Sequence, residues 1–135
     1  GLSVLFDYLR QVRESRETNK LVLEGFGLQA TPYDVPFMTD LIELSMARNS
    51  LQQLPDSIDS LTGLISLNLD DNSITSLPNE FGRLTELRAL SMRNNKLHYL
   101  PLSMAGMTNL RRLDVEGNEF ESPPMEVVAK GVEAV

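Results

Sequence analysis

Apolar residues recur along this chain in two alternating rhythms. In the runs that begin at Leu41, Leu64, Leu87 and Leu110, apolar positions alternate with polar ones: Leu44 with Met46, Leu67 with Leu69, Leu90 with Met92, and Leu113 with Val115. A period of two places such side chains on one face of an extended strand. Further along each run the spacing changes. Pro55, Pro78 and Pro101 are each followed by Ile58 and Leu61, Phe81 and Leu84, or Met104 and Met107. That spacing puts each apolar pair on one side of a short helical turn, with Pro at its first position, where a missing N–H costs nothing. The whole change of rhythm recurs every 23 residues. One unit is therefore written several times, and its copies are expected to stack with a parallel sheet on one side and short helices or 3₁₀ turns on the other.

Residues 18–40 align with the regular copies as a degenerate first one. Leu21, Leu23, Leu28 and Pro32 match, whereas Phe26 stands in place of an Asn, Thr31 in place of a Leu, and Pro36 removes a backbone donor where the other copies have room for a helical turn. Its strand is expected to survive and its outer side to be irregular. Ahead of it, residues 1–17 carry Leu2, Leu5, Phe6, Leu9 and Val12 at helical spacing, with Asp7, Arg10, Arg13, Glu14, Arg16 and Glu17 mostly opposite. This predicts an amphipathic helix that caps the stack, because a terminal unit has no next repeat to cover its core. A partner-binding or membrane-surface helix is the alternative. The copy from residue 110 keeps its strand and then changes: Phe120, Pro123 and Pro124 lead into a segment with Val127, Val128 and Val132, which predicts a closing helix. The expected organisation is a capping helix over 1–17 and repeats over 18–135, divided as 18–40, 41–63, 64–86, 87–109 and a last copy with its helix over 110–135. The chain opens without Met and ends without a helix stop signal, so it is expected to be a piece of a longer one.

Each regular copy has the form L-x-x-L-x-L-x-x-N, ending at Asn49, Asn72, Asn95 or Asn118. An Asn repeated at a turn reads as structural. Buried, it satisfies backbone groups of its own and neighbouring coils, and the series forms a ladder. Together with L-P-x-x-[IF]-x-x-L in the second half, these motifs give a sequence that resembles leucine-rich repeat proteins of the 23-residue intracellular type, in particular the Ras-associated group. The closing N-E-F-E-S-P-P-M-E-V-V-A-K-G is also similar to the end of the repeat block in Roco-type multidomain proteins. The resemblance implies an α/β solenoid with a parallel concave sheet of about five strands, short convex helices or 3₁₀ turns, and a capping helix at each end. It further implies protein binding on the concave side, with a small GTPase or another signalling protein as the partner class.

Within each strand the residues around and between the two inward apolar positions face the concave solvent side. Copy by copy they are Lys20, Val22 and Glu24; Glu43, Ser45 and Ala47; Ser66, Asn68 and Asp70; Ala89, Ser91 and Arg93; Arg112, Asp114 and Glu116, with Asp71 at the rim. Glu24, Glu43, Asp70 and Asp71 give the N-terminal part an acidic bias suited to a basic partner, which such a field would steer. None of the positions is aromatic, although binding hot spots are enriched in Trp, Tyr and Arg. Five strands of five residues project a face of roughly 300 Å², against about 800 Å² per partner in a standard interface. Either a rim contributes as well, or the natural protein is expected to have more than this chain.

Composition narrows the function classes. The net charge of −7 speaks against nucleic acid, whose phosphates call for a basic surface. No apolar run reaches the roughly 20 residues of a membrane span, so membrane insertion is not expected. Zero Cys and no N-x-Ser/Thr sequon favour a cytoplasmic setting, since extracellular repeat domains of this kind commonly carry disulfides. With no Cys, a single His98 in a loop, and only a lone G-x-G at Gly25 to Gly27, neither catalysis nor a metal or other cofactor is expected. The reading that results is a non-catalytic protein-interaction module. Its alternatives are the recognition or regulatory segment of a larger signalling enzyme, a GTPase or kinase, and a structural subunit of a large assembly.

Overall fold

A computed structural model describes residues 1–123 and Val127. Helix α1 (Leu2–Thr18) is followed by five strands, β1 (Lys20–Val22), β2 (Glu43–Ser45), β3 (Ser66–Asn68), β4 (Ala89–Ser91) and β5 (Arg112–Asp114). The strands form one parallel sheet in sequence order. Lys20 pairs with Glu43, Glu43 with Ser66, Ser66 with Ala89, and Ala89 with Arg112, so a single register is carried across the sheet. Each strand is only three residues long, and pairing continues one residue further. The N–H groups of Leu23, Met46, Leu69 and Met92 donate to the carbonyls of Ser45, Asn68, Ser91 and Asp114 at 2.8–2.9 Å. Both inward positions of the alternating pattern are thereby held over the core.

Opposite the sheet lie the 3₁₀ turns Asp56–Ser60, Asn79–Arg83 and Leu102–Gly106. Pro55, Pro78 and Pro101 occupy the extended position just before each turn rather than its first helical residue. Their φ angles of −70°, −65° and −65° suit an extended backbone as well as a helical one. Ile58, Leu61, Phe81, Leu84 and Met107 are buried, and Met104 packs half-buried against them. The first copy departs from the expected irregularity by forming a shorter 3₁₀ turn, Val35–Phe37. Pro36 is accommodated because the opening residues of a turn have no carbonyl behind them to receive an N–H. One continuous apolar cluster runs from Leu21 to Phe120 between the sheet and the turns.

The Asn series stitches successive coils together. The Asn72 side-chain amide donates to the carbonyls of Met46 (3.0 Å), Leu69 (3.1 Å) and Asp70 (3.2 Å), while its Oδ1 accepts from the Leu51 N–H. Asn95 makes the equivalent bonds to Leu69, Met92 and Arg93 and receives the Ile74 N–H. Asn118 bonds the carbonyls of Met92 and Val115 and receives the Leu97 N–H. All three are buried. Asn49 is only half-buried, and it takes the N–H groups of both Phe26 and Leu28 in the degenerate copy. The residue just before each of these positions and their Phe26 counterpart carries a left-handed backbone: Gly25, Arg48, Asp71, Asn94 and Gly117, at φ between 56° and 79°.

Helix α1 ends at Asn19, whose left-handed backbone returns its N–H to the Ser15 carbonyl at 2.8 Å. Tyr8 and Val12 pack on the core, Ser15 is buried, and Tyr8 meets Phe26 edge-on with ring centroids 5.9 Å apart. This covers the end of the stack, but of the expected residues Val12 packs there while Tyr8 and Ser15 take the place of the rest. Leu2, Leu5, Phe6 and Leu9 remain about half exposed or more. At roughly 100° per residue, Tyr8, Val12 and Ser15 share one stripe, whereas Leu2, Phe6 and Leu9 lie roughly 90–150° around the helix from it. Val4 and Leu5 are rotated toward the stack, but they precede by a turn the first residue that touches it. The apolar arc of α1 is thus wider and longer than the coil it covers. The closing helix expected near the C-terminus lies outside the described residues, Val127 excepted.

Candidate functional site

The pleat and the register place the polar strand residues side by side on the sheet's solvent face. Lys20, Val22, Glu43 and Arg112 are exposed there, and Ser45, Ser66, Asn68, Ala89, Ser91 and Asp114 are half-buried. Glu24, Asp70, Arg93 and Glu116 follow in the next alternate position, with Glu24 and Asp70 half-buried and Arg93 and Glu116 exposed. Ala47 departs from expectation by being buried. Its single methyl group sits at the position equivalent to Glu24 and Asp70 in the adjacent copies, whose longer side chains rise above it.

The charges on this face are largely held by one another. Glu24 accepts the Ser45 hydroxyl at 2.9 Å and the Arg48 guanidinium at 3.0 Å. Asp70 Oδ1 accepts the Ser91 hydroxyl at 2.6 Å and the Arg93 N–H at 2.8 Å, and the Asn68 side chain accepts the Asp70 N–H at 3.0 Å. Lys20 and Glu43 approach to 3.7 Å, and Asp71 accepts the Asn94 amide at 2.8 Å. Arg93 lies 3.4 Å from Asp114 and donates to Glu116 at 2.9 Å. The Asp114 charge first, then the Glu116 bond and charge, raise the guanidinium pKa. Arg112 makes no ion pair among the described residues. The acidic bias seen in sequence is therefore tempered in space: Glu24 and Asp70 brace neighbouring strands, while Glu43, Asp71 and Glu116 stay accessible.

Between β3 and β5 the face dips into a depression of about 270 Å³. Ser66, Asn68, Ala89 and Ser91 floor it with small side chains, and Asp70, Arg93, Arg112 and Asp114 stand around it. It offers hydroxyl, amide and carboxylate groups plus one unpaired guanidinium, a set suited to gripping polar backbone or side chains. Lys20, Glu24, Glu43 and Ser45 lie on the sheet outside it. His98 belongs to another loop, exposed, with Nδ1 3.1 Å from the Glu119 carbonyl and 3.9 Å from Glu121. Among the described residues no cluster of His, Cys, Asp and Glu has the makings of a metal site. No described helix is long and apolar enough to cross a membrane.

Two features escaped the sequence reading. The left-handed positions were signalled by Gly25, Asp71, Asn94 and Gly117, residue types that tolerate that backbone, but Arg48 hid the series. The second is an exposed aromatic pair, Tyr33 and Phe37, on the outer side of the first copy. Its signal was the alignment itself, which sets these rings against mainly polar or small residues in the other copies.

The family model described as leucine rich repeat matches residues 40–97 and, overlapping it, residues 62–120. No curated protein matches the chain by sequence. Solved structures do. A Leptospira interrogans leucine-rich repeat protein is 30% identical with a TM-score of 0.64, over 75% of this chain and 32% of that one. The leucine-rich repeat domain of the type III effector XopL is 25% identical with a TM-score of 0.70, over 84% of this chain and 44% of that one. The plant peptide hormone receptor RGFR1, solved in complex with RGF2, is 26% identical with a TM-score of 0.62, over 67% of this chain and 15% of that one. The chain thus spans less than half the length of each of these structures.

Proposed function

Because the chain belongs to the leucine-rich repeat family, we propose that it is a non-catalytic interaction module whose concave sheet holds a protein or peptide partner. The depression over β3 to β5 carries this reading. Its side chains are pre-positioned by the bonds from Asp70 and Arg93, so binding orders few of them, and that lowers the entropic cost of association. A peptide hormone receptor of the same fold, solved with its ligand, lends support. A partner with a basic surface would meet Glu43, Asp71 and Glu116, and its own acidic group would meet Arg112. The 23-residue repeat with L-P-x-x-[IF] supports the finer assignment to the intracellular, Ras-associated type, with a small GTPase or other signalling protein as partner. A cytoplasmic setting goes with it.

A second reading, the recognition segment of a larger enzyme or effector, is favoured by the XopL match, where repeats of this kind form one domain of an effector. Both readings use the same face. Affinity capture with wild-type protein and with Asn68→Arg plus Arg112→Glu tests it, because both side chains lie in the depression and neither anchors the core. The double variant should melt as wild type does and lose the partners. Equal capture by both proteins would show that the depression is not the site.

A further inference from the structure

We propose that the convex side of the first copy is a second docking site, which takes an extended proline-rich segment bearing a basic residue. The copy's departures from the repeat converge on one spot. Where the regular copies place Leu54, Leu77 and Leu100, this copy has Thr31. Tyr33 replaces Asp56, Asn79 and Leu102, and Phe37 replaces Ser60, Arg83 and Gly106. Pro36 is a fourth departure. All four residues line a single depression of about 280 Å³, completed by Pro32 and Pro55 and the hydroxyls of Ser57 and Ser60.

The stack does not require these rings. Tyr33 is 82% exposed and Phe37 69% exposed, and they lean on each other with centroids 5.4 Å apart. Aromatic side chains held in the open carry most of their apolar surface into any contact they make. A polyproline II segment suits the exposed rings. Its rings pack on aromatic-lined grooves, its carbonyls have no partners within the segment, and its conformation is formed before binding.

Charge supplies the remaining part of the specificity. The depression has no charged side chain, but it is flanked in the chain by Asp34 beside Tyr33 and Asp56 beside Pro55, neither of them ion-paired among the described residues. Phe37 is also a wall of the neighbouring hollow against α1, where Asp34 and Asp40 lie with Arg16 as the one cation. Arg16 makes no ion pair with either carboxylate. A basic residue next to the prolines would therefore drop past Phe37 toward a hollow where two carboxylates face one cation.

The test titrates the full chain into a fluorescein-labelled decaproline carrying one terminal arginine, read by anisotropy, with plain decaproline and a Gly/Ser peptide of equal length as controls. The arginine peptide should bind several-fold more tightly than plain decaproline, and the Gly/Ser peptide should not bind. Tyr33→Ser with Phe37→Ser should weaken binding at least about tenfold while leaving the melting curve unchanged, since both rings are exposed. Asp34→Asn with Asp40→Asn should erase the arginine advantage and spare binding of plain decaproline. The proposal is overturned if no peptide binds, if the Gly/Ser peptide binds equally, or if the double serine variant binds as wild type. It is also overturned if that variant instead dissociates a dimer seen by sedimentation, which would make the aromatic pair a contact between copies.

Discussion

The Leu51 N–H donates to Oδ1 of Asn72 at 3.0 Å, joining residues of successive coils inside the stack. Because the same amide also donates to the carbonyls of Met46, Leu69 and Asp70, Asn72→Ala orphans several buried groups at once. We expect it to cost about 1–3 kcal/mol, seen as a lower urea midpoint. Asn49→Ala should cost less, since that half-buried site admits water to replace the lost bonds.

Arg48 holds a left-handed backbone at φ 56°, a conformation that costs a residue with a Cβ about 1–2 kcal/mol. Its side chain returns only an exposed pair with Glu24, and such pairs are worth about 0–1 kcal/mol. Arg48→Gly relieves that strain but adds about 0.4–1 kcal/mol of unfolded-state freedom, so it is expected to raise stability by less than about 1 kcal/mol, read as a slightly higher melting temperature. A fall in melting temperature would mean that the ion pair and glycine's unfolded-state freedom together outweigh the backbone strain.

Gly82 sits where the turns Asn79–Arg83 and Leu102–Gly106 touch, and a Cβ there would run into the backbone of Ser103. Gly82→Ala is expected to destabilise by about 1–3 kcal/mol, the range for overpacking. Gly63→Ala is the control: its Cβ would meet only the Leu41 carbonyl at an ordinary 3.9 Å. Chemical denaturation of the two variants should separate them clearly.

Burial, and secondarily the charge of Asp34, raise the Tyr8 pKa above 10.0. The unfolded chain therefore loses this proton at a lower pH than the folded one. The Tyr8 contribution is intact below about pH 10 and is lost as pH climbs from there through the folded pKa. Tyr8→Phe, which keeps the ring against Phe26, should remove that alkaline loss. Helicity followed by circular dichroism between pH 9 and about 12 measures it.

Much of the architecture was legible because a period of two and a recurring Asn leave few ways to bury Leu44, Leu67 and Leu90 together. The helix face was not. Helical spacing identified Leu2, Leu5, Phe6 and Leu9 as apolar, but the docking angle of α1 depends on Tyr8 reaching Phe26, a contact between a helix and a loop that no local pattern announces. Alternation puts the polar strand residues on the solvent side of the sheet, Ala47 apart, yet it is blind to which carboxylates are already engaged. Glu24 and Asp70 looked free in sequence and prove to be braces, whereas Arg112 gains interest because its neighbours leave it unpaired. Tyr33 and Phe37 have no counterpart in the repeat pattern, because that pattern is made of what the copies share and these rings stand where the first copy departs from it.

Every Asn in the ladder takes its orders from the coil just behind it, and every strand meets its neighbour in the same register. Nothing in such an arrangement encodes how many coils there should be. Excising residues 64–86 would present Leu51 with Asn95 in place of Asn72 and keep the ladder, but it would also set Asp59 where Gly82 now meets Ser103. The ladder and the sheet thus leave the number of coils open, and the fit of one outer turn on the next, Gly82 on Ser103 above all, is what restricts where a whole coil can be added or lost.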